Sequence, residues 1–168
     1  MFKVGQTVRY SQVGVCRVEK ICQLTVGRET QSYYALMPLY KKGSTVYVPL
    51  ENEQLTSRML PLLTKEEIEE ALFAVQEKET EWIRDFRKRS EFAKKAMQSA
   101  DRKETLFLIK SIYRRRRQLA FEGVRSHTTD DYFLKEAEEM IYGEFAFVWE
   151  MPLEEVRDLI QKRFEENK

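Results

Sequence analysis

The chain has 168 residues, of which 42% are hydrophobic, 12% aromatic and 34% charged; this composition excludes a disordered or low-complexity protein and suits one ordinary domain or two small ones. Its formal net charge of +1 argues against a polyanionic partner, but the charge is unevenly distributed. Residues 82–125 hold 14 Lys and Arg and only five Asp and Glu, whereas residues 61–81 and 126–168 are net acidic, so we expect a local basic face.

Residues 1–60 show the pattern of short β-strands. Runs of β-branched and aromatic residues alternate with glycine and polar residues, as in small antiparallel sheets. The predicted strands span residues 4–10, 13–21, 31–37 and 45–48, and Pro49 ends the last. A meander of four or five such strands is expected to curl into a partly open barrel.

After Pro61 the pattern becomes helical, with no further proline before Pro152. Every predicted helix repeats apolar residues at helical spacing, and all but the second begin at a capping residue or a proline. The predicted starts are Thr64, Glu81, Asp101, Thr128 and Pro152, and the second helix is expected to end near Met97. The residues expected to face the core are Ile68, Leu72, Val75, Phe86, Ala93, Met97, Leu106, Ile109, Ile112, Tyr113, Phe133, Ala137, Met140, Ile141, Phe145, Val156, Ile160 and Phe164. We therefore predict an α+β protein with a β module over residues 1–60 and a compact all-α domain of about five helices over 61–168; the stretch from Glu51 to Leu63 is expected to be an ordered connector.

No arrangement of residues typical of catalysis is present in the sequence. His127 is the single histidine and lies in polar sequence before a helix start, where a structural or solvated role is expected. The glycines match no phosphate-binding loop. Two cysteines and one histidine are too few for a transition-metal site. We predict that the protein is not an enzyme and has no catalytic residue, metal, cofactor or small-molecule substrate.

The number of cysteines and the hydropathy of the sequence indicate a cellular compartment. Cys16 and Cys22 are too few for a disulfide scaffold, and the first residues lack the apolar core of a signal peptide. No apolar run approaches the ~18 residues that a membrane span needs. We expect free thiols, a cytoplasmic protein and no membrane contact.

The most informative segment runs from Glu81 to Arg89. On a helix, Arg84, Arg87 and Lys88 would project to one side, and Trp82 would protrude beside them at the helix start. Basic side chains neutralise phosphates, and an exposed indole stacks on bases or wedges between them. The alternative is that Trp82 is an inter-domain packing residue while the arginines are merely solvated.

A second basic run covers residues 114–117 and consists of four arginines. Four consecutive residues wrap around a helix, so they cannot all face one ligand. Some are expected to pair with the neighbouring acidic helices and form a salt-bridged shoulder. The run 145–149, which ends at Trp149, is predicted to lie in the core.

Several segments of the sequence resemble a known protein family. Residues 2–10, Gly14, the pair Tyr33-Tyr34 and the segment Val46-Tyr47-Val48-Pro49 resemble the N-terminal signature of CarD/CdnL-type bacterial transcription regulators. Transcription-repair coupling factors share this module, but their helicase motifs are absent here. Trp82 with Arg84, Phe86 and Arg87 resembles the Trp-plus-basic helix start of the same family, and the resemblance extends over roughly residues 2–150.

The resemblance implies a transcription regulator of the cytoplasm, associated with the nucleoid, that has no enzymatic activity. Its Tudor- or SH3-like N-terminal module would bind the β subunit of RNA polymerase. Its helical domain would contact promoter DNA, without sequence specificity, at the upstream edge of the transcription bubble. Trp82 would be the wedge that stabilises the open complex, and Arg84 and Arg87 would hold backbone phosphates; helical spacing adds Lys88 to this set.

The polymerase contact is expected at the strand that contains Thr45, Val46 and Tyr47, whose edge would pair with a strand of the β subunit. The sequence departs from the family pattern at Ser11 and Val13, where Pro and His are common. It departs again at Tyr47, where a basic residue is common, so Arg28 or Lys41 would supply the basic contact. Asp131 stands where some members have Lys, which weakens any DNA contact from that turn.

Two other functions are compatible with the sequence. A protein–protein adaptor would bind another protein, and not DNA, through its helical domain, with the four arginines serving internal electrostatics. An enzyme would need a nucleophile, a metal set or a phosphate loop. Salt-dependent retention on DNA distinguishes the regulator from the adaptor.

Overall fold

The protein is described by a computed structural model, which covers residues 1–166. The chain divides into two units, Met1–Leu62 and Leu63–Lys168. The first is built on an antiparallel sheet and the second on helices, which confirms the predicted α+β class. None of the helices within residues 1–166 is both long and apolar enough to cross a membrane.

The first unit is a five-stranded antiparallel sheet with the strand order β4-β3-β2-β1-β5. Its strands are β1 (Thr7–Tyr10), β2 (Gly14–Val26), β3 (Glu29–Pro38), β4 (Val46–Pro49) and β5 (Met59–Pro61). A 3₁₀ turn, Ser11–Val13, joins β1 to β2, and the short helix α1 (Glu53–Thr56) lies between β4 and β5. Among the described residues β4 and β5 do not pair with one another, so the sheet is open. The stretch from Glu51 to Leu63, predicted to be an ordered connector, contains α1 and β5, so most of it belongs to the first unit.

β2 and β3 form a longer hairpin than the sequence pattern predicts. Their pairing runs from Cys16 opposite Pro38 to Val26 opposite Glu29. The turn between them contains Gly27 at φ +66°, a conformation that glycine adopts without strain. β1 pairs with β2 no further than Arg17, and β4 pairs with β3 no further than Tyr33. The outer part of the hairpin is therefore a two-stranded ribbon.

The first strand is shorter than predicted. The sequence pattern placed its start at Val4, but residues 3–6 form a turn in which the Gln6 amide donates to the Lys3 carbonyl at 3.1 Å. The core of this unit lies on one face of the sheet and consists of Val8, Tyr10, Cys16, Val18, Tyr34, Leu36, Val48 and Met59.

Over the residues that the structure describes, the second unit contains five helices, in agreement with the predicted number of about five. They are α2 (Lys65–Glu77), α3 (Phe86–Gln98), α4 (Arg102–Phe121), α5 (Thr128–Trp149) and α6 (Leu153–Glu166). The Thr64–Glu67 capping box is present at the start of α2, and Asp101 caps α4. Every predicted inward-facing residue of α2, α4, α5 and α6 is buried. Of the run 145–149, Phe145 and Ala146 are buried, but Phe147 is exposed and Trp149 is only partly buried.

The prediction for α3 was wrong at its N-terminus. The helix begins at Phe86 and not near Glu81, because the Asp85 carboxylate accepts from the Lys88 amide at 2.9 Å and caps the helix there. Phe86 therefore occupies the first helical position. Its side chain is 47% exposed, contrary to the expected core position, and its ring centre lies 5.1 Å from that of His127.

A buried ion pair ties three parts of the helical unit together. The fully buried carboxylate of Glu144 on α5 accepts from Arg102 Nη2 on α4 at 2.9 Å and from Arg102 Nε at 3.1 Å. It also accepts from the Leu63 amide at 3.0 Å. The bidentate geometry and the third donor satisfy a charge that would otherwise be costly to bury.

Candidate nucleic-acid interface

Trp82 lies in the segment of residues 78–85, which joins α2 to α3. Lys110 on α4 anchors the start of this segment: its buried Nζ donates to the carbonyls of Val75, Gln76 and Lys78 at 2.8, 2.7 and 2.6 Å. Burial, and after it the nearby charge of Arg114, lower the pKa of Lys110 below its ordinary value. The amine thus fixes the point at which the chain leaves α2.

Arg89 on α3 anchors the other end of the segment. Its Nη1 donates to the carbonyls of Ile83 at 3.0 Å and Arg84 at 3.3 Å. Its Nε and Nη2 donate to the two carboxylate oxygens of Asp130 on α5, at 2.8 and 3.2 Å. Both charged side chains are nearly buried, so this is a bidentate pair shielded from water.

Trp82 itself is partly buried and packs against the helical core. The guanidinium carbons of Arg89 and Arg115 lie 4.9 and 5.7 Å from the centre of its ring, within the range of cation–π attraction. The expectation that Trp82 protrudes from the start of a helix was therefore wrong: Trp82 precedes α3, and its ring is held by core contacts and two arginines. Its remaining exposed surface faces solvent.

The predicted DNA-binding cations lie close to Trp82 in the chain, but not on one helical face. Arg84, Arg87 and Lys88 are all exposed, yet Arg84 precedes α3, so the predicted helical spacing is not realised. Arg87 Nε lies 3.6 Å from Glu91 Oε1, and both side chains are largely exposed. Such a pair is weak and leaves Arg87 available to other anions.

A groove missed by the sequence analysis runs beside Trp82 and has a volume of about 530 Å³. Helix α4 lines it with Arg114, Arg115, Arg117, Gln118 and Phe121. Arg115 Nη1 donates to Gln118 Oε1 at 3.3 Å, and Arg117 Nη1 donates to the Glu165 carbonyl at 2.7 Å. Positions 114, 117, 118 and 121 follow the spacing of one helix face, a signal that the sequence carried.

The remaining arginine of the run faces elsewhere. Arg116 Nε lies 3.7 Å from Asp131 Oδ1 on α5, and both side chains are about half exposed. The predicted salt-bridged shoulder is therefore formed by Arg116, whereas Arg114, Arg115 and Arg117 line the groove.

His127 has a structural contact, as expected. Its Nδ1 accepts from the Thr129 amide at 3.2 Å and caps α5. Over the part of the chain that the structure describes, no three His, Cys, Asp or Glu side chains come together as a metal site requires.

The sheet of the first unit offers a free edge at β4. This strand pairs with β3 on one side, and no strand of residues 1–166 pairs with its other side. Val48 is fully buried, whereas Tyr47 is 46% exposed, which is the alternation of a strand with one face on the core. Thr45 directly precedes the strand.

Residues 2–60 match the family model described as the CarD-like/TRCF RID domain. They form a CarD-like RNA polymerase-interacting module. The matched residues contain β1 to β4 and most of β5, which is nearly the whole sheet. No curated protein matches the chain. The resemblance proposed for the helical unit lies outside the matched residues and stays a prediction.

Within the CarD-like module, the predicted polymerase-binding residues fall into two places. Thr45, Val46 and Tyr47 lie together at the β4 edge. Arg28 lies in the β2–β3 turn, seven residues along β3 from Ala35, the partner of Tyr47. At the usual rise of a strand this is roughly 23 Å, so Arg28 and Tyr47 belong to separate surfaces of the module.

Proposed function

We propose that the protein is a transcription regulator that binds the β subunit of RNA polymerase and stabilises the open promoter complex. Its CarD-like module makes the polymerase contact. Its helical unit contacts promoter DNA, without sequence specificity, at the upstream edge of the bubble. The polymerase part is supported by the family match of residues 2–60. The single observation that carries the DNA part is the anchored, partly exposed Trp82 among basic side chains.

The free edge of β4 supports strand addition as the mode of polymerase binding. An exposed edge presents backbone donors and acceptors that a strand of the β subunit can pair with. Tyr47 points away from the buried face and adds an exposed aromatic side chain to this edge. The main chain would supply hydrogen bonds, and Tyr47 and its neighbours would contribute to both affinity and specificity.

The anchoring of Trp82 supports a wedge at the bubble edge. An indole that is already fixed by Arg89 and by the core loses little conformational entropy when it contacts a base step. The exposed side chains of Arg84, Arg87 and Lys88 neutralise phosphates, which gives weak affinity that falls with salt. Trp82 is therefore expected to affect bubble lifetime more than DNA affinity.

The adaptor function has an observation of its own in favour. Trp82 packs against the core, Arg116 pairs with Asp131, and Arg117 donates to the Glu165 carbonyl, so part of the basic run serves internal contacts. An adaptor predicts that Arg84→Glu leaves function unchanged and that the protein is not retained on DNA at low salt. The regulator predicts the opposite in both cases.

The polymerase contact is tested by co-elution of the full-length protein with bacterial RNA polymerase on a sizing column. Tyr47→Glu places a charge on the β4 edge and is expected to abolish co-elution. Tyr132→Glu is the matched control, because Tyr132 is similarly exposed but lies on α5 in the helical unit. Co-elution of both variants would reject the edge contact, and failure of the parent to co-elute would favour the adaptor.

The DNA contact is tested by the lifetime of the open complex after a competitor is added. Trp82→Ala is expected to shorten this lifetime, whereas Trp149→Phe is expected to leave it unchanged. Trp82→Phe retains an aromatic ring against the core and separates lost packing from the lost wedge. An unchanged lifetime with Trp82→Ala, in a variant that still co-elutes with polymerase, would reject the wedge.

A further inference from the structure

We infer that the groove between Trp82 and Phe121 binds single-stranded DNA, with the arginines of α4 on its phosphates and Phe121 stacked on a base. This inference deepens the proposed function and rests on its DNA contact at Trp82. It adds a second aromatic side chain and a defined path along α4 to that contact.

The arginines of the groove are suited to phosphate oxygens. A guanidinium carries five N–H donors in a planar fork. Among residues 1–166, Arg115 directs one hydrogen bond to Gln118, and Arg117 directs one to the Glu165 carbonyl, so within the described part of the chain most of the donors on each remain for a ligand.

The aromatic part of the groove is Phe121. It is the last residue of α4, and its side chain is 95% exposed, more than that of any other phenylalanine of α4 and α5. Proteins that bind single strands combine a basic groove with aromatic side chains on which bases stack. Phe121 lies about one helical turn from Arg117 and nearly two turns from Arg114 and Arg115, so α4 supplies this combination over roughly two turns.

Two carboxylates in the groove favour a DNA strand over a small polyphosphate as its ligand. Glu122 and Glu165 also line the groove, so its charge is only modestly positive. A small, highly charged polyphosphate gains little from such a site. A DNA strand carries one charge per nucleotide and gains from both stacking and phosphate contacts. A duplex keeps its base faces stacked and offers none to Phe121.

The test measures binding of a short fluorescent oligothymidylate to the full-length protein by anisotropy, beside a duplex of equal length. Phe121→Ala is expected to weaken single-strand binding about fivefold or more. Arg115→Gln is expected to reduce the slope of log affinity against log salt by about 0.7, which corresponds to one phosphate contact.

Two matched control variants change a phenylalanine and an arginine of this chain that do not line the groove. Phe73 on α2 is 59% exposed and lies outside the groove, so Phe73→Ala is expected to leave binding unchanged. Arg116 neighbours Arg115 but faces Asp131, so Arg116→Gln is expected to leave the salt slope unchanged. Thermal unfolding of each variant identifies any loss that comes from the fold.

Three results would overturn the inference: no oligothymidylate binding at low salt, equal affinity for the duplex, or equal losses in the groove and control variants. Polymerase co-elution and the Trp82-dependent open-complex lifetime are measured separately. If both persist while the groove variants have no effect, the groove inference fails and the proposed function stands. If the unsubstituted protein shows neither polymerase co-elution nor a Trp82-dependent open-complex lifetime, the proposed function itself fails.

Discussion

The guanidinium group of Arg89 holds the indole of Trp82 in place, with its carbon 4.9 Å from the ring centre. The same guanidinium forms a bidentate pair with Asp130 and donates to two carbonyls of the Trp82 segment. The orientation of Trp82 therefore depends on an ion pair between α3 and α5. Arg89 thus sets the geometry of the proposed wedge through its contacts within the protein.

Replacement of Arg89 is expected to release Trp82. In a Trp149→Phe background, Trp82 is the single tryptophan, and Arg89→Gln should shift its fluorescence to longer wavelength as water reaches the ring. The variant should also lose about 3 kcal/mol of unfolding free energy, because Asp130 is left buried without its partner. Arg87→Gln, which alters an exposed arginine two residues away, should change neither quantity. An unshifted emission spectrum in Arg89→Gln would show that the core alone orients the indole.

The Arg102–Glu144 pair predicts a large and asymmetric effect on stability. Glu144→Gln is expected to cost about 3–5 kcal/mol, because it leaves the Arg102 charge buried without compensation. Arg102→Met in the same chain should recover much of this loss, since both charges are then gone. Chemical denaturation measures both variants. Glu91→Gln, which breaks the exposed Arg87–Glu91 pair, should cost less than about 1 kcal/mol, and a similar cost for Glu144→Gln would contradict the argument.

The Glu69–Arg163 pair predicts a pH dependence with a definite sign. Arg163 donates to both carboxylate oxygens of Glu69, at 3.0 and 2.5 Å, and lowers the pKa of Glu69 below its ordinary 4.5. A depressed folded-state pKa adds stability above pH 4.5, and this contribution is lost as the pH falls through the folded-state value. The difference in unfolding free energy between the parent and Glu69→Gln should therefore be present at neutral pH and shrink in acid. If this difference in unfolding free energy grows as the pH falls, the predicted sign is wrong.

The two cysteines are expected to differ in reactivity. Cys16 is fully buried, and burial raises the pKa of its thiol to about 12, so little thiolate forms at neutral pH. Cys22 lies further along β2 and is only partly buried. Alkylation of the native protein should modify Cys22 alone, and alkylation in urea should modify both. Mass spectrometry of the peptides distinguishes the two sites, and rapid native labelling of Cys16 would contradict the buried position.

Most helices were predictable because their signals are local. A cap such as Thr64 and the apolar spacing of Ile68, Leu72 and Val75 lie within a few turns of one another, and nothing distant overrides them. The start of α3 was not predictable in this way. Glu81 and Asp85 are both acceptable starts, and the choice depends on Lys110 and Arg89, which hold residues 78–85 out of helical geometry.

The candidate site was predictable only in part, because local sequence patterns do not determine which side chains become neighbours in the fold. Its basic and aromatic residues are evident in the composition of residues 82–125, but their neighbours are set by tertiary packing. Sequence adjacency placed Arg84, Arg87 and Lys88 around Trp82, whereas the structure places Arg89 and Arg115 against its ring. Arg115 is 33 positions away in the chain, a separation that no local pattern bridges.

The length of the two-stranded outer part of the β2–β3 hairpin is not constrained by the core of the module. Its residues contribute nothing to the buried set of Cys16, Val18 and Leu36, so the ribbon can change length without reshaping the core. Insertions must nevertheless add opposed residues in equal number to both strands, since a one-residue slip would turn every inward side chain outward. The reach of Arg28 from the β4 edge is thus adjustable in steps of one residue pair, about 3.3 Å each.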